Sequence, residues 1–280
     1  MSRADWKRPK VVMPEGVRRI KIVVSYDGRF YHGWQKQDGA ITVQEEIEKV
    51  IFSTLGESVF VQGSGRTDAS VHALGQVAHF DTKSNIKAET FAIILNSKLP
   101  KTIRVLSSSE PEGVFHARFT AMSREYWYLI KEYKDYTSFD WGRVAPYKRV
   151  PDITLLNEYA SLLQGTHDYT TFCSSRDISL SKVRDIYVSQ WSKEKDIFGY
   201  DIYKYKVVGN AFLYHQVRSM VGSMVEAALK GESKEAFKLR LDSKNRENAL
   251  KTAQPEGLYL ARISYDEEEY RWFEELENGK

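Results

Sequence analysis

Residues 63–72 combine the side chains that nucleophilic or acid–base chemistry requires. One carboxylate, Asp68, follows Arg66 by two positions, so an extended loop would project both side chains the same way. A guanidinium beside a carboxylate favours the ionised form, which suits a nucleophile or a base. Glycines in the same stretch allow a tight turn and keep bulk away from an approaching ligand. The stretch is therefore a functional loop or a glycine turn with one surface ion pair.

Apolar segments on both sides of this stretch favour the functional interpretation. Val59–Val61 leads into it and Val77–Phe80 leads out of it, and both have the composition of strands. Polar groups are dense between them, with hydroxyls at Ser64, Thr67 and Ser70. A polar loop held between two strands is a common place for catalytic residues.

A second candidate, Arg218, lies on the longest predicted helix, about Phe212–Lys230, which ends at Gly231. At 100° per residue the apolar side chains of this helix form a narrow arc, and Arg218 falls at its edge. A guanidinium there would be partly desolvated and would require an anionic partner, for which Asp68 is the candidate. Alternatively, the arginine stem covers the core while its head reaches water.

Tyr126 is a third candidate, on a strand predicted at Ser123–Tyr133. An inward-facing tyrosine on a strand is usually part of the core, but some present a flat face to a ligand. In an RNA enzyme such a ring, together with a carboxylate, would stack a flipped base.

The composition predicts a folded, soluble, cytosolic protein. Of the 280 residues 42% are hydrophobic, enough for one large or two ordinary domains. No apolar run approaches the roughly 18 residues of a membrane span, and the polar N-terminus does not look like a secretory signal. Cys173 is the only cysteine, which excludes an internal disulfide, and the six histidines show no zinc spacing, so no metal is predicted.

The charge is unevenly distributed along the chain. The net charge is +3, but residues 266–280 hold seven acids and two bases, which leaves +8 on the other 265 residues. A basic body with an acidic tail fits a polyanion partner, although many proteins without a nucleic-acid role share this pattern.

The first half of the chain predicts the order β-α-β-β-α-β, which is typical of a ferredoxin-like α+β unit. A strand at Arg18–Tyr26 alternates apolar residues, and a helix with a capping box from Thr42 to Glu45 ends at Gly56. The remaining elements of this half are the two strands around residues 63–72, a helix at about Ala88–Lys98 closed by Pro100, and a strand at Thr102–Ser108.

The second half predicts a similar alternation of strands and helices. Its elements are the strand Ser123–Tyr133, a loop at 134–151, a helix at about Thr154–Gln164, paired strands at Val183–Trp191 and Tyr200–Val208, the long helix, short helices after Ser233 and around Glu247–Ala253, and a last strand at Leu258–Ser264. Phe115–Phe119 is a candidate junction. The domains predicted are a flexible basic arm (1–17), an N-terminal α+β domain with the catalytic loop (18–114), a C-terminal α+β domain (115–265) and an acidic tail (266–280).

Five segments between about Arg18 and Tyr265 resemble, in the right order, the signature segments of the TruA family of tRNA pseudouridine synthases. They are Tyr26-Asp27-Gly28 with Gly33-Trp34-Gln35; Gly65-Arg66-Thr67-Asp68-Ala69 with Val71-His72; Phe115-His116-Ala117-Arg118-Phe119 with Arg124 and Tyr126; Asn210-Ala211-Phe212 with His215, Val217-Arg218 and Val221-Gly222-Ser223; and Glu256-Gly257-Leu258-Tyr259-Leu260. One motif alone would be weak, whereas five in order are specific.

The resemblance implies a cofactor-free isomerase that converts uridine to pseudouridine at positions 38, 39 and 40 of the tRNA anticodon stem-loop. It implies that Asp68 is the nucleophile, that Tyr126 stacks against the target base, and that Arg66 and Arg218 flank the carboxylate. It also implies a homodimer that binds each tRNA with both subunits. The fold it implies has two ferredoxin-like (RRM-like) halves that share a mixed, mostly antiparallel sheet around a basic cleft.

Basic residues along such a cleft would bind phosphates and make the affinity salt-dependent. The candidates are Arg29, Lys36, Arg118 and Lys148. For each of them, exposed solvated charge is the alternative interpretation.

Ser70 stands where the family usually has glycine. If this position has a positive φ, serine costs on the order of 1 kcal/mol or more in local strain. If its backbone is ordinary, serine only adds a hydroxyl.

The carboxylate could add covalently to the base or to the sugar, or support an intermediate, and the sequence does not choose among these. Reaching the base requires flipping it out, at a cost of about a few kcal/mol. Three alternatives stay open: a non-catalytic RNA-binding protein, another carboxylate enzyme such as a nucleoside hydrolase, and a synthase of the same family with different RNA targets.

Overall fold

The structure is a computed structural model that describes residue 12 and residues 14–266. Most of the predicted basic arm (1–17) and all but the first residue of the predicted acidic tail (266–280) therefore lie outside the described residues. Contacts between Cα atoms divide the chain into two compact units, Met1–Met122 with Leu260–Tyr265, and Ser123–Tyr259 with Asp266–Lys280. The domain boundaries proposed from the sequence stay predictions.

The first unit contains an antiparallel arrangement of strands with two helices. Its elements are β1 (Arg18–Tyr26), α1 (Val43–Leu55), β2 (Gln62–Gly63), β3 (His72–Thr82), α2 (Thr90–Lys98), β4 (Ile103–Ser109) and most of β10 (Leu258–Ser264). β1 pairs with β3 on one side and with β4 on the other, and β2 pairs with β3. The alternation predicted for β1 is confirmed, since Ile20, Ile22 and Val24 are fully buried.

The helix α1 ends at Gly56, as predicted, and Gly56 has φ +70°. The capping box is wrong, because the Thr42 hydroxyl makes no cap hydrogen bond. The first amides of the helix bond instead to loop carbonyls: Val43 donates to Gly33, and Gln44 donates to Trp34. A neighbouring loop therefore satisfies donors that a side chain was expected to satisfy.

The strand predicted at Val59–Val61 is also wrong, since only Gln62 and Gly63 pair with β3. The amide of Val61 donates to the Glu48 carboxylate on α1 at 3.0 Å. It therefore bonds to a helix side chain rather than to the backbone of a neighbouring strand. The loop that follows is consequently tied to α1 as well as to the sheet.

The second unit contains four antiparallel strands with one parallel addition. Its elements are β5 (Ser123–Glu132), β6 (Ala145–Tyr147), α3 (Ile153–Leu162), β7 (Gly165–Asp168), β8 (Val183–Lys195), β9 (Asp201–Gly209), α4 (Gln216–Leu229) and α5 (Lys234–Asp242). The strand order within this unit is β5-β9-β8-β7, and β6 runs parallel to β5. The sequence missed β6, which lies in the predicted loop 134–151, and β7.

Two helix predictions in the second unit need correction. α4 begins at Gln216 rather than at Phe212, because His215 has φ +64° and interrupts helical geometry. The helix predicted around Glu247–Ala253 is reduced to one 3₁₀ turn at Arg246–Asn248. After Ala249, the amides of Leu250 and Lys251 donate to Ser223 and Glu226 on α4 rather than to a helix of their own.

The fold class is α+β, as predicted, with ten strands in mixed pairing and five α-helices in the part of the chain that the structure describes. In that same part, no helix is both long enough and apolar enough to span a bilayer.

Candidate active site

The loop between β2 and β3 is pinned where it leaves β2. Ser64 is buried; its hydroxyl donates to the Gln76 side chain at 2.6 Å, and its amide donates to the Val77 carbonyl at 2.8 Å. The Gln76 amide group in turn donates to the Gly65 carbonyl at 2.9 Å. At Gly63 a Cβ would stand 2.6 Å from the Trp34 indole nitrogen, so this position accepts only glycine without rearrangement.

The middle of the loop is held through Thr67, the residue before the candidate nucleophile. Its hydroxyl shares a 2.8 Å hydrogen bond with the Tyr26 hydroxyl, and its carbonyl accepts from the Trp34 amide at 3.2 Å. Asp68 follows, half-buried, and its carbonyl accepts from the Val71 amide. Arg66, on the other side of Thr67, is exposed. The loop therefore presents Asp68 from a backbone that is fixed immediately before and after it.

The exit of the loop contains a strained residue. Ser70 has φ +64°, a left-handed conformation that is unfavourable for residues other than glycine. Its amide donates to the Tyr31 carbonyl at 3.2 Å. Opposite it, a Cβ on Gly28 would stand 2.2 Å from the Val71 carbonyl oxygen, so two backbone segments meet without room for a side chain. Of the two backbone geometries considered for Ser70, the structure has the strained one.

Asp27 and His72 lie in two of the signature segments but were not among the candidate site residues. The Gly28 amide donates to Nδ1 of the buried His72, which lies 3.5 Å from the Asp27 carboxylate. The Arg29 guanidinium binds the same carboxylate with contacts as short as 2.6 Å. Burial acts to raise the pKa of Asp27, but the hydrogen bonds and charge of Arg29 outweigh it, so the pKa lies below its usual range.

The other three candidate RNA contacts are exposed at the surface. Lys36 is exposed, with its ammonium 3.6 Å from the Glu48 carboxylate. Arg118 is exposed, with its guanidinium over the Phe119 ring at 5.9 Å. Lys148 is exposed. The exposure of all three side chains is compatible with phosphate contacts.

The segment Phe115–Phe119 is fixed by imidazoles and a buried arginine. Nδ1 of His79 on β3 accepts from the Ala117 amide at 3.1 Å, and Arg19 donates to the Phe115 carbonyl at 2.6 Å. Burial, followed by the positive charge of Arg19 and the neighbouring His116, lowers the pKa of His79 to about 3. His79 is therefore a neutral structural acceptor at physiological pH, a role that only tertiary structure reveals.

In the second unit Tyr126 is half-buried on β5. The ring of Phe212 packs against it edge-on, with centroids 5.2 Å apart and planes at 82°. This T-shaped contact is a favourable aromatic geometry and fixes one side of the Tyr126 ring.

Arg218 is half-buried on α4, as expected for the edge of the apolar arc. Its Nε donates to the Ala253 carbonyl at 2.9 Å, and the Ala253 amide donates back to the Arg218 carbonyl at 3.0 Å. The close approach of this segment depends on Gly222, where a Cβ would stand 1.9 Å from the Lys251 carbonyl oxygen. The guanidinium is thus oriented by backbone groups.

The structure therefore places Arg66 and Asp68 together on one loop of the first unit, and Tyr126 and Arg218 in the second unit. Among residues 12 and 14–266, no cluster of three or more histidine, cysteine or acidic side chains could hold a metal. The single cysteine, Cys173, is buried, and burial raises its pKa to about 11.

Comparison with known proteins agrees with the resemblance seen in the sequence. A family model described as tRNA pseudouridine synthase matches residues 22–120 and 159–266. A protein of Bacillus pumilus named tRNA pseudouridine synthase A is 40% identical over 250 residues, which cover 89% of this chain and 99% of that protein. A protein of the same name from Treponema denticola is 42% identical, and the match covers 90% of this chain and 94% of that protein. One from Bacillus subtilis is 37% identical, and the match covers 89% of this chain and 99% of that protein. The chain therefore belongs to the TruA family of tRNA pseudouridine synthases.

Proposed function

We propose that this protein converts uridine to pseudouridine at positions 38, 39 and 40 of the tRNA anticodon stem-loop, with Asp68 as the nucleophile. The observation that carries the proposal is the loop geometry: Asp68 is half-buried and follows Thr67, whose hydroxyl and carbonyl are both held by β1 and the Trp34 segment. A preorganised carboxylate lowers the entropic part of a reaction barrier because it needs little reorientation.

The reaction is an isomerisation, so every atom of the base is kept except for a proton exchanged with solvent. The N1–C1′ bond breaks, the base rotates, a C5–C1′ bond forms, and C5 loses a proton while N1 gains one. A carboxylate can add to the base or to C1′ of the sugar, and both routes use Asp68 in the same place. No redox cofactor or metal is required by this balance of atoms.

The remaining site residues have the following proposed roles. Tyr126 stacks against the flipped base, and Arg66 and Arg218 are the catalytic arginines; Arg29, Lys36, Arg118 and Lys148 contact phosphates. Tyr126→Phe keeps the ring and loses the hydroxyl. It should retain tRNA binding and slow the conversion if the hydroxyl takes part in proton transfer, and wild-type conversion would show that only the ring is used.

The protein is further proposed to act in the cytoplasm as a homodimer that binds each tRNA with both subunits, with units of ferredoxin-like type. The element order β1-α1-β2-β3-α2-β4 in the first unit supports the last point. Light scattering should give twice the monomer mass, and a single monomer mass at micromolar concentration would contradict the dimer.

The direct test uses purified protein and unmodified tRNA transcripts that carry uridine at 38, 39 or 40, with cytidine at all three positions as the matched control. Carbodiimide treatment followed by primer extension should show new stops only at those uridines. Stops confined to other positions would indicate a synthase with different targets. Release of free uracil would indicate a hydrolase, and tRNA binding without either product would indicate a binding protein.

A further inference from the structure

The segment 210–216 runs from the end of β9 into the first residue of α4. It carries none of the proposed catalytic groups, but it contacts Tyr126 and leads directly to Arg218. Phe212, in its middle, packs edge-on against Tyr126. Its end determines where α4 begins, two residues before Arg218. The placement of both proposed site residues in this unit therefore depends on how firmly the segment is held.

One end of the segment is held by Asp185 on β8. Asn210 donates from its side-chain nitrogen to the Asp185 carboxylate at 2.9 Å and from its amide to the Asp185 carbonyl at 3.0 Å. Its side-chain oxygen accepts from the Asp185 amide at 3.2 Å, and its carbonyl accepts from Arg124 at 2.6 Å. Both backbone groups and both side-chain atoms of Asn210 are thus engaged. The preceding Gly209 permits this contact, since a Cβ there would stand 2.7 Å from the Asp185 carbonyl.

The other end is held by Asp177, which lies in the loop between Cys173 and β8. Its carboxylate accepts from the Tyr214 amide at 2.7 Å, and the Ser174 amide donates to the Tyr214 carbonyl at 2.9 Å. The same carboxylate binds the Lys182 ammonium at 2.6 Å and the Ser179 amide at 2.8 Å. Only 7% of its side chain is exposed. Both backbone groups of Tyr214 are therefore fixed by one folded loop.

The residue after Tyr214 shows that this hold has an energetic cost. His215 has φ +64°, one of three positive-φ residues other than glycine among the described residues. Such a conformation is unfavourable for a residue other than glycine and persists only where surrounding contacts hold it in place. Ser70, another of the three, lies two residues after Asp68. Two of these three strained positions, Ser70 and His215, therefore lie within three residues of a proposed catalytic residue.

From these contacts, and resting on the proposed function, we propose that Asp177 and Asp185 are positioning residues for pseudouridine formation. They clamp the two ends of segment 210–216, and through it they fix the Tyr126 ring and the start of the helix that carries Arg218. Displacement of a catalytic group by about 1 Å can cost about 100-fold in rate, so loss of either clamp should lower turnover.

The test compares Asp185→Ala and Asp177→Ala with Asp168→Ala, a matched control in the same unit. Asp168 also makes two side-chain hydrogen bonds, to the amide and hydroxyl of Thr170, but it has no bond to segment 210–216. Conversion of a uridine-39 transcript gives kcat and KM, and thermal unfolding gives Tm. Asp177→Ala should lower kcat about 10- to 100-fold. Asp185→Ala keeps the two backbone bonds to Asn210 and should lower kcat by a smaller factor, at least about threefold. KM should stay within threefold in both. The control should lose a similar Tm and keep kcat within twofold.

Conservative and double variants separate positioning from general destabilisation. Asp185→Asn retains an oxygen for Asn210 and should recover most of kcat. In an Arg218→Lys background, Asp177→Ala should lower kcat by a smaller factor than it does in the wild-type protein, because part of its effect acts through Arg218. Full multiplication of the two effects, or a wild-type kcat in both clamp variants, overturns the proposal.

If the alanine variants do not fold, Phe212→Leu replaces them, since it removes the ring contact to Tyr126 and keeps an apolar side chain. It should lower kcat at least fivefold, and an unchanged kcat overturns the proposal. A wild-type protein that forms no pseudouridine overturns the proposed function and this inference together, whereas wild-type activity with fully active clamp variants overturns the inference alone.

Discussion

A Cβ on Gly33 would stand 2.3 Å from the carbonyl oxygen of Thr67. The same Thr67 carbonyl accepts a hydrogen bond from the amide of Trp34, the residue after Gly33. The two segments are therefore in backbone contact at the residue that precedes Asp68. The aromatic, amide-rich loop after β1 and the loop of the proposed nucleophile are therefore one structural unit. Any side chain at position 33 would push the nucleophile loop away from its support.

Gly33→Ala should lower both stability and turnover. Position 33 has φ +88° and no space for a methyl group, so we expect a loss of about 2 kcal/mol or more in the free energy of unfolding, together with a marked fall in kcat. Gly39→Ala is the matched control. Gly39 has φ +73° in the same loop, but an added methyl group would have nothing within 4 Å. This variant should therefore lose only the stability that backbone strain costs, and it should keep kcat. Equal kcat losses in both variants would contradict this reading.

Ser70→Gly should stabilise the protein. Relief of the left-handed strain outweighs the extra chain entropy of glycine in the unfolded state, with a net gain of about 0.5–1 kcal/mol. Lys244→Gly, at φ +48° and outside the loop, is the control and should show a gain of similar sign. Urea unfolding measures both, and kcat should stay near the wild-type value. A Ser70→Gly protein less stable than wild type would mean that the hydroxyl makes a contribution larger than the strain.

His79 should make stability depend on pH. Its folded pKa of about 3 lies below the unfolded value of about 6.5, so the unfolded state takes up the proton first as the pH falls. Its contribution is complete above pH 6.5 and declines toward pH 3 by up to about 1.4 kcal/mol per pH unit. In His79→Asn, where an amide oxygen can replace Nδ1 as acceptor for Ala117, this part of the slope should disappear.

The check is urea unfolding at pH 6.5 and pH 4.5. Wild type should lose on the order of 2 kcal/mol more than His79→Asn between these values. His32→Asn, a change at an exposed position, should keep the wild-type dependence. Identical slopes for wild type and His79→Asn would show that this imidazole does not titrate as its burial requires.

Elements whose signal is local were predictable from the sequence. The alternation of Ile20, Ile22 and Val24 and the helical spacing ending at Gly56 correspond to β1 and α1, because burial of one face determines both the pattern and the structure. For Asp68, Tyr126 and Arg218 the residue types alone leave a functional and an ordinary structural interpretation open. The family resemblance is what assigns their roles.

Features that depend on distant partners were not predictable. The Thr42 hydroxyl does not cap α1. The amides of Val43 and Gln44 donate instead to the carbonyls of Gly33 and Trp34. The bond from the Tyr214 amide to Asp177 joins residues 37 positions apart, and the bond from the Ala117 amide to His79 joins residues 38 apart. No periodicity or short motif encodes such pairs, so the positions that hold the candidate site became visible only in the folded chain.

The most direct measurement is pseudouridine formation by Asp68→Asn on the uridine-39 transcript, by carbodiimide primer extension, alongside tRNA affinity and Tm. Asparagine preserves the shape of the side chain and removes the nucleophile, so no pseudouridine should form. The tRNA affinity should stay within about threefold of the wild-type value, and Tm within a few degrees of it. Asp38→Asn, the same change at an exposed position, should keep wild-type activity. Conversion by Asp68→Asn at the wild-type rate would contradict the role of Asp68 as the nucleophile.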